Sequence, residues 1–318
     1  MNYKILKMRF PHGIHLGQGM LTDGEKTFYA DTLFSALCHE ALYMPGGIDR
    51  LYQAFHSGEL RISDGLPWIG DTYYLPKPYF SVHRDEEEGD SRKKKAFKKL
   101  EYIPAELMDR YLEGQLDVYA INERFKQFGS YEMRTSASIE RDDDARPYQY
   151  GVYHYGPDSG LYLLIAYAND SAYDYLLELM TALSYSGIGG RRSSGLGTFT
   201  YETMHCPKEL SNRIIDTSSQ EIHSLSGKKY HDLTSLSISL PQEEEMGVIE
   251  SAAYAIIKRS GFVSSSTYAR EYMKKRDFYA IASGSCVKKL YQGDIYDVSE
   301  GGSHPVYRYA LPIFIGVC

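Results

Sequence analysis

The sequence has little tryptophan and cysteine, and it has no long apolar segment. Its 318 residues contain one Trp, and its four Cys lie far apart without a C-x-x-C pair, so neither a zinc site nor a disulfide framework is indicated. No stretch approaches the length of a membrane span, and residues 1–10 lack the apolar centre of a signal peptide. We therefore expect a protein of the reducing cytoplasm, with no membrane partner, metal or cofactor.

An excess of positive charge is also lacking, since the formal net charge is -7. Binding to phosphates is driven by Lys and Arg, so this balance excludes nucleic-acid binding over the whole surface. It does not exclude a basic groove on an otherwise acidic protein, where the acidic faces would meet basic partners. Basic residues cluster at 92–99, 191–192 and 274–276, and acidic residues at 85–88, 142–144 and 243–245.

Tyrosine is abundant in a chain whose composition is otherwise that of a folded protein. Hydrophobic residues make up 43% and charged residues 24%, and the length suits about two domains. The 30 Tyr are suited either to half-buried core and rim positions or to stacking against bases. We expect the first role for most of them.

The amino-terminal half reads as strands and helices around a polar insertion. Residues 3–10 predict a strand, and a helix follows with Asp31 as its N-cap. The charged run 84–99 predicts a mobile insertion, and residues 131–144 predict an exposed arm or hairpin. A hairpin of 148–155 with 161–167, a helix at 171–185 and a strand at 198–203 complete the pattern.

The order of these elements predicts an α+β fold with two ferredoxin-like (RRM-like) lobes. The first lobe is expected at residues 1–205, with insertions at about 84–145, and the second at 206–318, with a linker at 206–230. In the second lobe the composition predicts strands at 236–240, 278–287 and 307–317, and a helix at 251–260.

The strongest local signal is a glycine-rich loop at 186–199. Five glycines in eleven positions permit positive φ and a close approach of backbone amides to a phosphate, while Arg and Ser add donors. It is not a nucleotide P-loop, because no Gly-Lys-Ser/Thr follows, and it comes after a helix, opposite to the Rossmann order. A flexible turn is the competing interpretation. The candidate binding residues are Gly187, Gly189, Gly190, Arg191, Arg192, Ser193, Ser194, Gly195 and Gly197.

At this loop the sequence resembles the RAMP superfamily of CRISPR proteins, whose members carry a glycine-rich loop between the last helix and last strand of an RNA-binding domain. Three further segments resemble the fourth Csm subunit of type III-A effector complexes. They are Phe-Pro-His-Gly-Ile-His-Leu-Gly at 10–17, Ala-Asp-Thr-Leu-Phe-Ser-Ala-Leu at 30–37, and His-Pro-Val-Tyr-Arg-Tyr at 304–309. The resemblance covers both halves but matches poorly from about 49 to 150.

The resemblance implies an RNA-binding subunit without catalytic chemistry. Its expected partners are the 5′ handle of the guide RNA (crRNA), the large polymerase-type subunit and the neighbouring backbone RAMP subunit. Additional candidate RNA contacts are His15, Gly17, Arg134, Lys288 and Arg308. His15 either touches a base or phosphate or is simply solvated, and both alternatives stay open. Arg134 and Arg141 flank a run resembling the base of the family's protruding hairpin.

Two enzymatic alternatives compete with this interpretation. The first is an endoribonuclease of the same superfamily, because His12, His15 and His39 lie near one another in sequence and related subunits cut RNA with an aspartate. No convincing set of base, acid and cation is recognisable, however, and we expect a solvated tip at 142–144 and not a metal site. The second is a nucleotide-binding enzyme that uses the glycine-rich loop.

Overall fold

The computed structural model describes residues 1–17, 19–80, 91–138, 146–215 and 222–317. The strands are β1 (Asn2–Arg9), β2 (Leu60–Ile62), β3 (Leu66–Ile69), β4 (Thr72–Pro76), β5 (Tyr102–Pro104), β6 (Gly129–Ser138), β7 (Arg146–Tyr155), β8 (Ser159–Tyr167), β9 (Thr200–His205), β10 (Leu233–Ser235), β11 (Ile256–Arg259), β12 (Phe278–Ile281), β13 (Cys286–Val287), β14 (Asp294–Asp297), β15 (Tyr307–Ala310) and β16 (Phe314–Gly316). The helices are α1 (Ala30–Ala41), α2 (Gly47–His56), α3 (Ser91–Lys99), α4 (Met108–Leu112), α5 (Val118–Phe125), α6 (Asp170–Ser186) and α7 (Lys208–Ser211). Short 3₁₀ helices occupy Ala105–Leu107, Lys126–Phe128, Arg192–Ser194 and Glu243–Ser251.

A seven-stranded sheet organises the amino-terminal half. Its strand order is β5-β4-β3-β8-β1-β9, and β2 also pairs with β8. β1 runs antiparallel to both of its neighbours, with Ile5 opposite Leu164 of β8 and Met204 of β9. The predicted strands at 3–10 and 198–203 and the predicted helix at 171–185 are confirmed within a few residues.

Both faces of this sheet are covered, because successive residues of a strand point to opposite sides. Leu6 and Met8 of β1 pack in one core with α1 and α6, whereas Ile5 packs in a second core with α3, α4 and α5. The helix α1 packs through one hydrophobic face, on which Leu33, Phe34 and Leu37 are buried.

The predicted hairpin of β7 with β8 is wrong. β7 pairs with β6 over all ten positions, while β8 pairs with β1, β2 and β3. The reason lies in the side chains: every residue of β8 is buried, as in a strand covered on both faces, whereas β7 begins with exposed polar residues. β6 and β7 therefore form a separate two-stranded ribbon at the surface.

The charged run 84–99, predicted as a mobile insertion, contains a helix in its described part. Residues 91–99 form α3, and its Phe97 is buried against the sheet's second core together with Leu100. Phe97 and, directly after the helix, Leu100 attach this lysine-rich segment to the core. Residues 84–90 lie outside the described part of the chain.

The carboxyl-terminal half contains several small antiparallel sheets. β10 lies between β13 and β16, β11 pairs with β12, and β14 pairs with β15. The strands predicted near 278–287 and 307–317 are confirmed. The helix predicted at 251–260 is wrong, because the β-branched pair Ile256 and Ile257 favours the extended strand β11.

The two halves share a core. Tyr309 of β15 lies against Phe34 of α1 and Phe55 of α2, with ring centroids 5.8 Å and 5.6 Å apart. The hydroxyl of Tyr309 also donates to the carbonyl of Ile62 at 3.0 Å. The molecule is thus a mixed α/β protein with several antiparallel sheets, and its described helices include none long and apolar enough to cross a membrane.

Candidate functional site

The glycine-rich loop begins where α6 ends. Gly187, Gly189, Gly195 and Gly197 all have φ between 77° and 92°, which L-residues with a side chain rarely adopt. Arg191 also has a positive φ of 61°, and it is the one such non-glycine residue in the described ranges.

The loop is bound to the amino-terminal segment 13–15. The N–H of Gly190 donates to the carbonyl of His15 at 2.9 Å, and the N–H of Gly197 donates to that of Gly13 at 2.9 Å. A Cβ at Gly189 would lie 2.5 Å from the His15 carbonyl oxygen. A bulky residue at Gly189 or Gly190 would therefore displace the loop from segment 13–15, because both glycines lie against His15.

His15 joins three segments. Its side chain is buried with 5% exposure, and its Nδ1 lies 2.6 Å from the carbonyl oxygen of Gly151 in β7. The ring also meets Tyr150 edge-on at 6.2 Å. The solvated alternative is therefore wrong. A contact of His15 with RNA stays a prediction, since the residue also lines a cavity beside the loop. The neighbouring Gly17 is exposed.

Arg191 reaches from the loop to the β6–β7 ribbon. Its guanidinium lies 4.4 Å from the ring centroid of Tyr150 and 4.7 Å from that of Tyr148, within the range of cation–π attraction. Hydrogen bonds with Ser136 and Arg191 lower the pKa of Tyr148, and the one with Ser136 has the larger effect. Arg192, Ser193 and Ser194 form the exposed turn that follows.

Arg134 lies on the same ribbon. It is directly opposite Tyr150, so the two side chains share a face. Its Nε donates to Glu132 at 2.9 Å, and the same carboxylate lies 2.7 Å from Nε2 of His154. The structure thus places Arg134 and Arg191 beside the same residue, Tyr150, although the two arginines are far apart in sequence. Arg141, Ile139 and the aspartates at 142–144 lie outside the described residues.

A cleft runs from the glycine-rich loop between the segment 15–32 and β11. Its first cavity has a volume of about 210 Å³, and the residues lining it include Gly189, Gly190 and Tyr29. A second cavity has a volume of about 680 Å³, and the residues lining it include Lys258, Arg259 and Lys274. Gly17, Tyr29 and Arg259 line both cavities, so the two adjoin. The cleft carries the mixture of glycine, tyrosine and basic side chains that suits a sugar-phosphate chain.

Asp31 does not cap α1, which corrects the prediction. Tyr29 is the N-cap residue, and the N–H of Ala30 donates to the carboxylate of Asp64 at 2.7 Å. Asp31 instead binds Nε of Arg259 at 2.9 Å and Nη1 of Arg308 at 2.5 Å, with its side chain fully buried. Burial acts to raise the pKa of Asp31, but the charges of Arg259 and Arg308 outweigh it and leave the pKa below its ordinary value.

The two RNA contacts predicted in the carboxyl-terminal half, Arg308 and Lys288, do not lie at the glycine-rich loop. Arg308 is 5% exposed and bound to Asp31, so its guanidinium is not available at the surface. Lys288 is exposed, but it follows β13, which pairs with β10 and packs in a separate core. The structure does not bring Lys288 to the glycine-rich loop through any contact of the described residues.

Arg259 and Asp64 were not recognised in the sequence. Arg259 belongs to the four-residue strand β11, and Asp64 to the turn between β2 and β3, with no motif around either. The sequence contained one indication of these contacts. Asp31 lies at the start of a predicted helix, and no neighbouring residue in the sequence is an evident partner for its carboxylate. Among the described residues, no three His, Cys, Asp or Glu side chains gather as a metal site would require.

Comparison with known proteins places these features in a family. The model of the RAMP superfamily matches residues 22–200, and that of the CRISPR Csm4 C-terminal domain matches residues 228–317. The chain is 37% identical over 319 residues to the CRISPR system Cms protein Csm4 of Mycobacterium tuberculosis, covering 100% of this chain and 98% of the relative. It is 33% identical to the protein of the same description from Streptococcus thermophilus, covering 99% and 98%.

Solved structures show the same fold. The chain matches a chain of the Csm3-Csm4 subcomplex of the type III-A CRISPR-Cas interference complex with a TM-score of 0.66, at 20% identity and 99% coverage of both chains. It matches a chain of the Csm1-Csm4 cassette in complex with cA4 with a TM-score of 0.58, at 21% identity and 99% and 98% coverage. On the strength of the sequence matches, this chain belongs to the Csm4 family within the RAMP superfamily of CRISPR proteins.

Proposed function

We propose that the chain is a non-catalytic, cytoplasmic subunit of a type III-A interference complex and binds the 5′ handle of crRNA. One observation carries the proposal. The glycine-rich loop is bound to segment 13–15 and presents Arg191, Arg192 and an exposed serine turn beside a tyrosine-lined cleft. Such a loop fixes the sugar-phosphate backbone, while base identity is read within the cleft.

The proposed protein partners are the large polymerase-type subunit and the backbone RAMP subunit. Relatives of this fold have been solved as a Csm1-Csm4 cassette and as a Csm3-Csm4 subcomplex. The β6–β7 ribbon is a candidate contact for the backbone subunit, because Tyr131 and Met133 are large apolar side chains that remain exposed on it.

The finer fold prediction is kept as part of this proposal. The run β1, α1, β3, β8, α6 and β9, with β1 and β8 at the centre of the sheet, supports a ferredoxin-like first lobe at residues 1–205. We retain residues 206–318 as the second lobe. Its small sheets and 3₁₀ helix give less support to a ferredoxin-like arrangement there.

A superfamily endoribonuclease is the competing function, and three side chains argue against it. Asp31 is neutralised by two buried ion pairs, and His15 is buried against β7. His12 is exposed, and no contact among the described residues joins it to Asp31 or His15. Incubating the purified chain with repeat-derived RNA, with and without magnesium, tests this alternative, and a specific cut that survives in a highly purified preparation would favour the nuclease.

The first prediction tests the RNA-binding loop. Replacing Arg191 and Arg192 together by Ala should weaken binding to handle-bearing RNA whatever its sequence, because both arginines would face phosphates. The slope of log Kd against log salt should flatten by about one unit for each phosphate that the variant no longer neutralises. Fluorescence anisotropy over a salt series gives both quantities.

Two controls make this result specific. Arg110→Ala removes an exposed arginine on α4, outside the cleft, and should leave the affinity and the slope unchanged. Arg191→Gly removes the guanidinium and also relaxes the positive φ, whereas Arg191→Ala removes the guanidinium alone. Comparing the two variants separates loss of charge from backbone strain. Parent-like affinity and slope in the double variant would show that the loop is only a turn.

A further inference from the structure

The second cavity of the cleft, here called the β11 cavity, has a volume of about 680 Å³. Every residue from 257 to 262 lines it. Successive residues of a strand point to opposite faces, so a cavity that meets three of them in turn lies along the edge of the strand and not against one face. Gly17 and Tyr29 line this cavity and also the one beside the glycine-rich loop, so an extended ligand bound at the loop can continue into it.

The edge of β11 that meets the cavity is unpaired. The other edge is occupied by β12, and there the N–H of Ala282 donates to the carbonyl of Ala255 at 2.9 Å. Hydrogen-bonded pairs alternate along an antiparallel ladder, so this register directs the N–H and the C=O of Lys258 away from β12. Neither group has a hydrogen-bond partner among the described residues. The edge therefore offers a donor and an acceptor side by side.

An exposed aromatic ring and a lysine lie together at the same cavity. Phe262 and Lys274 are joined by an isolated antiparallel bridge, so their side chains share a face. Nζ of Lys274 lies 5.9 Å from the ring centroid of Phe262, and both residues line the cavity. Phe262 remains 56% exposed. A ring held open in this way beside a cation is suited to stacking on a base.

The charges of the cavity do not balance. Its lining carries three cations, Lys258, Arg259 and Lys274, and one carboxylate, Asp277. Asp277 binds Lys258 at 2.6 Å, and the buried Asp31 binds Arg259 at 2.9 Å. Lys274 makes no ion pair with any residue in the described part of the chain. Its ammonium group is therefore left to neutralise an anionic ligand, for which a phosphate is suited.

We propose that the β11 cavity binds one nucleotide of the RNA. The ring of Phe262 stacks on the base, Lys274 pairs with a phosphate, and the N–H and C=O of Lys258 hydrogen-bond the polar edge of the base. This inference rests on the proposed RNA-binding function. It adds a contact from the carboxyl-terminal half other than those predicted at Lys288 and Arg308.

A polypeptide strand of a partner subunit is the other ligand that an unpaired strand edge can take. β11 has only four residues, so its edge offers few backbone hydrogen bonds to such a strand. An open aromatic ring beside a lysine without a counter-charge is instead the combination that binds single-stranded nucleic acid. These two side chains favour the nucleotide.

The second prediction is measured on the full-length chain by fluorescence anisotropy with single-stranded, handle-bearing RNA. Phe262→Ala should weaken binding about ten-fold, because one stacked base is lost. Lys274→Ala should flatten the slope of log Kd against log salt by about one unit. Tyr272→Ala and Arg270→Ala are matched controls, since both residues are exposed in the same segment and neither lines the β11 cavity. Both should bind RNA as the parent does.

An abasic scan of the same RNA locates the stacked base. One nucleotide at a time is made abasic, and each RNA is measured with the parent and with Phe262→Ala. At one position the two changes together should weaken binding no more than either alone, whereas at other positions their effects should add. Additive effects at every position would overturn the stacking assignment.

The variants also separate this inference from the function on which it rests. RNA binding that depends on Arg191 and Arg192 but is unchanged in Phe262→Ala and Lys274→Ala would overturn the β11 cavity assignment alone. If these two variants bound RNA normally and lost affinity for the large subunit or the backbone subunit, the edge would be a site for a polypeptide strand. A chain that binds no handle-bearing RNA would overturn this inference together with the proposed function.

Discussion

The Asp31 carboxylate lies between two guanidinium groups that belong to β11 and β15. Both arginines come from the carboxyl-terminal half, whereas Asp31 begins the first helix of the amino-terminal half. A buried ion pair of this kind stabilises little in net terms, but removing one partner leaves the others charged and unpaired. The triad therefore acts as a specific joint between the halves, next to the cleft.

The third prediction concerns this joint. Asp31→Asn should lower the free energy of unfolding by about 3–5 kcal/mol at neutral pH, because Arg259 and Arg308 lose their counter-charge. Because the pKa of Asp31 is lowered in the folded state, its contribution is present above the unfolded value and is lost as pH falls through the folded one. Urea unfolding at several pH values measures both effects.

A matched surface pair provides the control. Asp158 binds Arg9 at 3.3 Å, but both side chains are substantially exposed. Asp158→Asn should change the stability by less than about 1 kcal/mol. Equal losses of stability for the two substitutions would contradict the role of Asp31 in joining the halves. A difference in stability between parent and Asp31→Asn that grows in acid would contradict it as well.

Among the elements, the glycine-rich loop is defined by its contacts as much as by its dihedrals. Gly189 and Gly195 both have positive φ, yet only Gly189 lies against another segment. A Cβ at Gly189 would press on the His15 carbonyl, whereas a Cβ at Gly195 would meet nothing within 4 Å. The two glycines therefore separate the cost of the dihedral from the cost of the contact.

The fourth prediction uses this difference. Gly195→Ala should cost about 1–2 kcal/mol of stability, the ordinary penalty for a left-handed L-residue, and should leave RNA affinity close to that of the parent. Gly189→Ala should cost more and also weaken RNA binding, because the loop must move away from segment 13–15. Thermal unfolding and anisotropy on both variants supply the comparison, and equal effects would show that the contact between the loop and this segment is unimportant.

The β6–β7 ribbon and α3 show why element prediction failed where it did. Residues 148–155 and 161–167 both have strand composition, and a five-residue gap made them the simplest hairpin. Pairing was decided by burial of β8 at the centre of the sheet, where it lies beside β1 from the far amino-terminal end of the chain. In α3, Lys, Arg and Ala themselves favour a helix, and burial of Phe97 in the second core attaches that helix to the molecule.

At the scale of the whole molecule, the two halves are joined by shared cores on both faces of the central sheet. Tyr309 packs between α1 and α2, and Ile313 and Ile315 pack with Ile5 of the central sheet. Asp64 further accepts a hydrogen bond from Ile238. The family matches at 22–200 and 228–317 mark two sequence units, but the cleft and its buried charges are built from both.

The fifth prediction follows from this shared core. A fragment of residues 1–205 should be aggregation-prone or lack cooperative unfolding, since it exposes the apolar surface that Tyr309 and the neighbouring β-strands cover. Co-expression with a fragment of 206–318 should restore a soluble pair. A cooperative thermal transition and sharp near-UV circular dichroism for the first fragment alone would show that each lobe buries an independent core.

The sequence by itself determined the family, the glycine-rich loop, the helices α1 and α6 and the strands β1, β8 and β9, because these depend on local periodicity, turn chemistry and motifs of a few residues. Tertiary structure decided what the charged and polar residues do. Asp31 changed from a helix cap to an ion-pair partner, Arg308 from a surface contact to its buried counter-charge, and His15 from a loop residue to a hydrogen-bonded support. Each outcome depends on a group that is distant along the chain, and single-sequence patterns carry no information about which distant groups become neighbours.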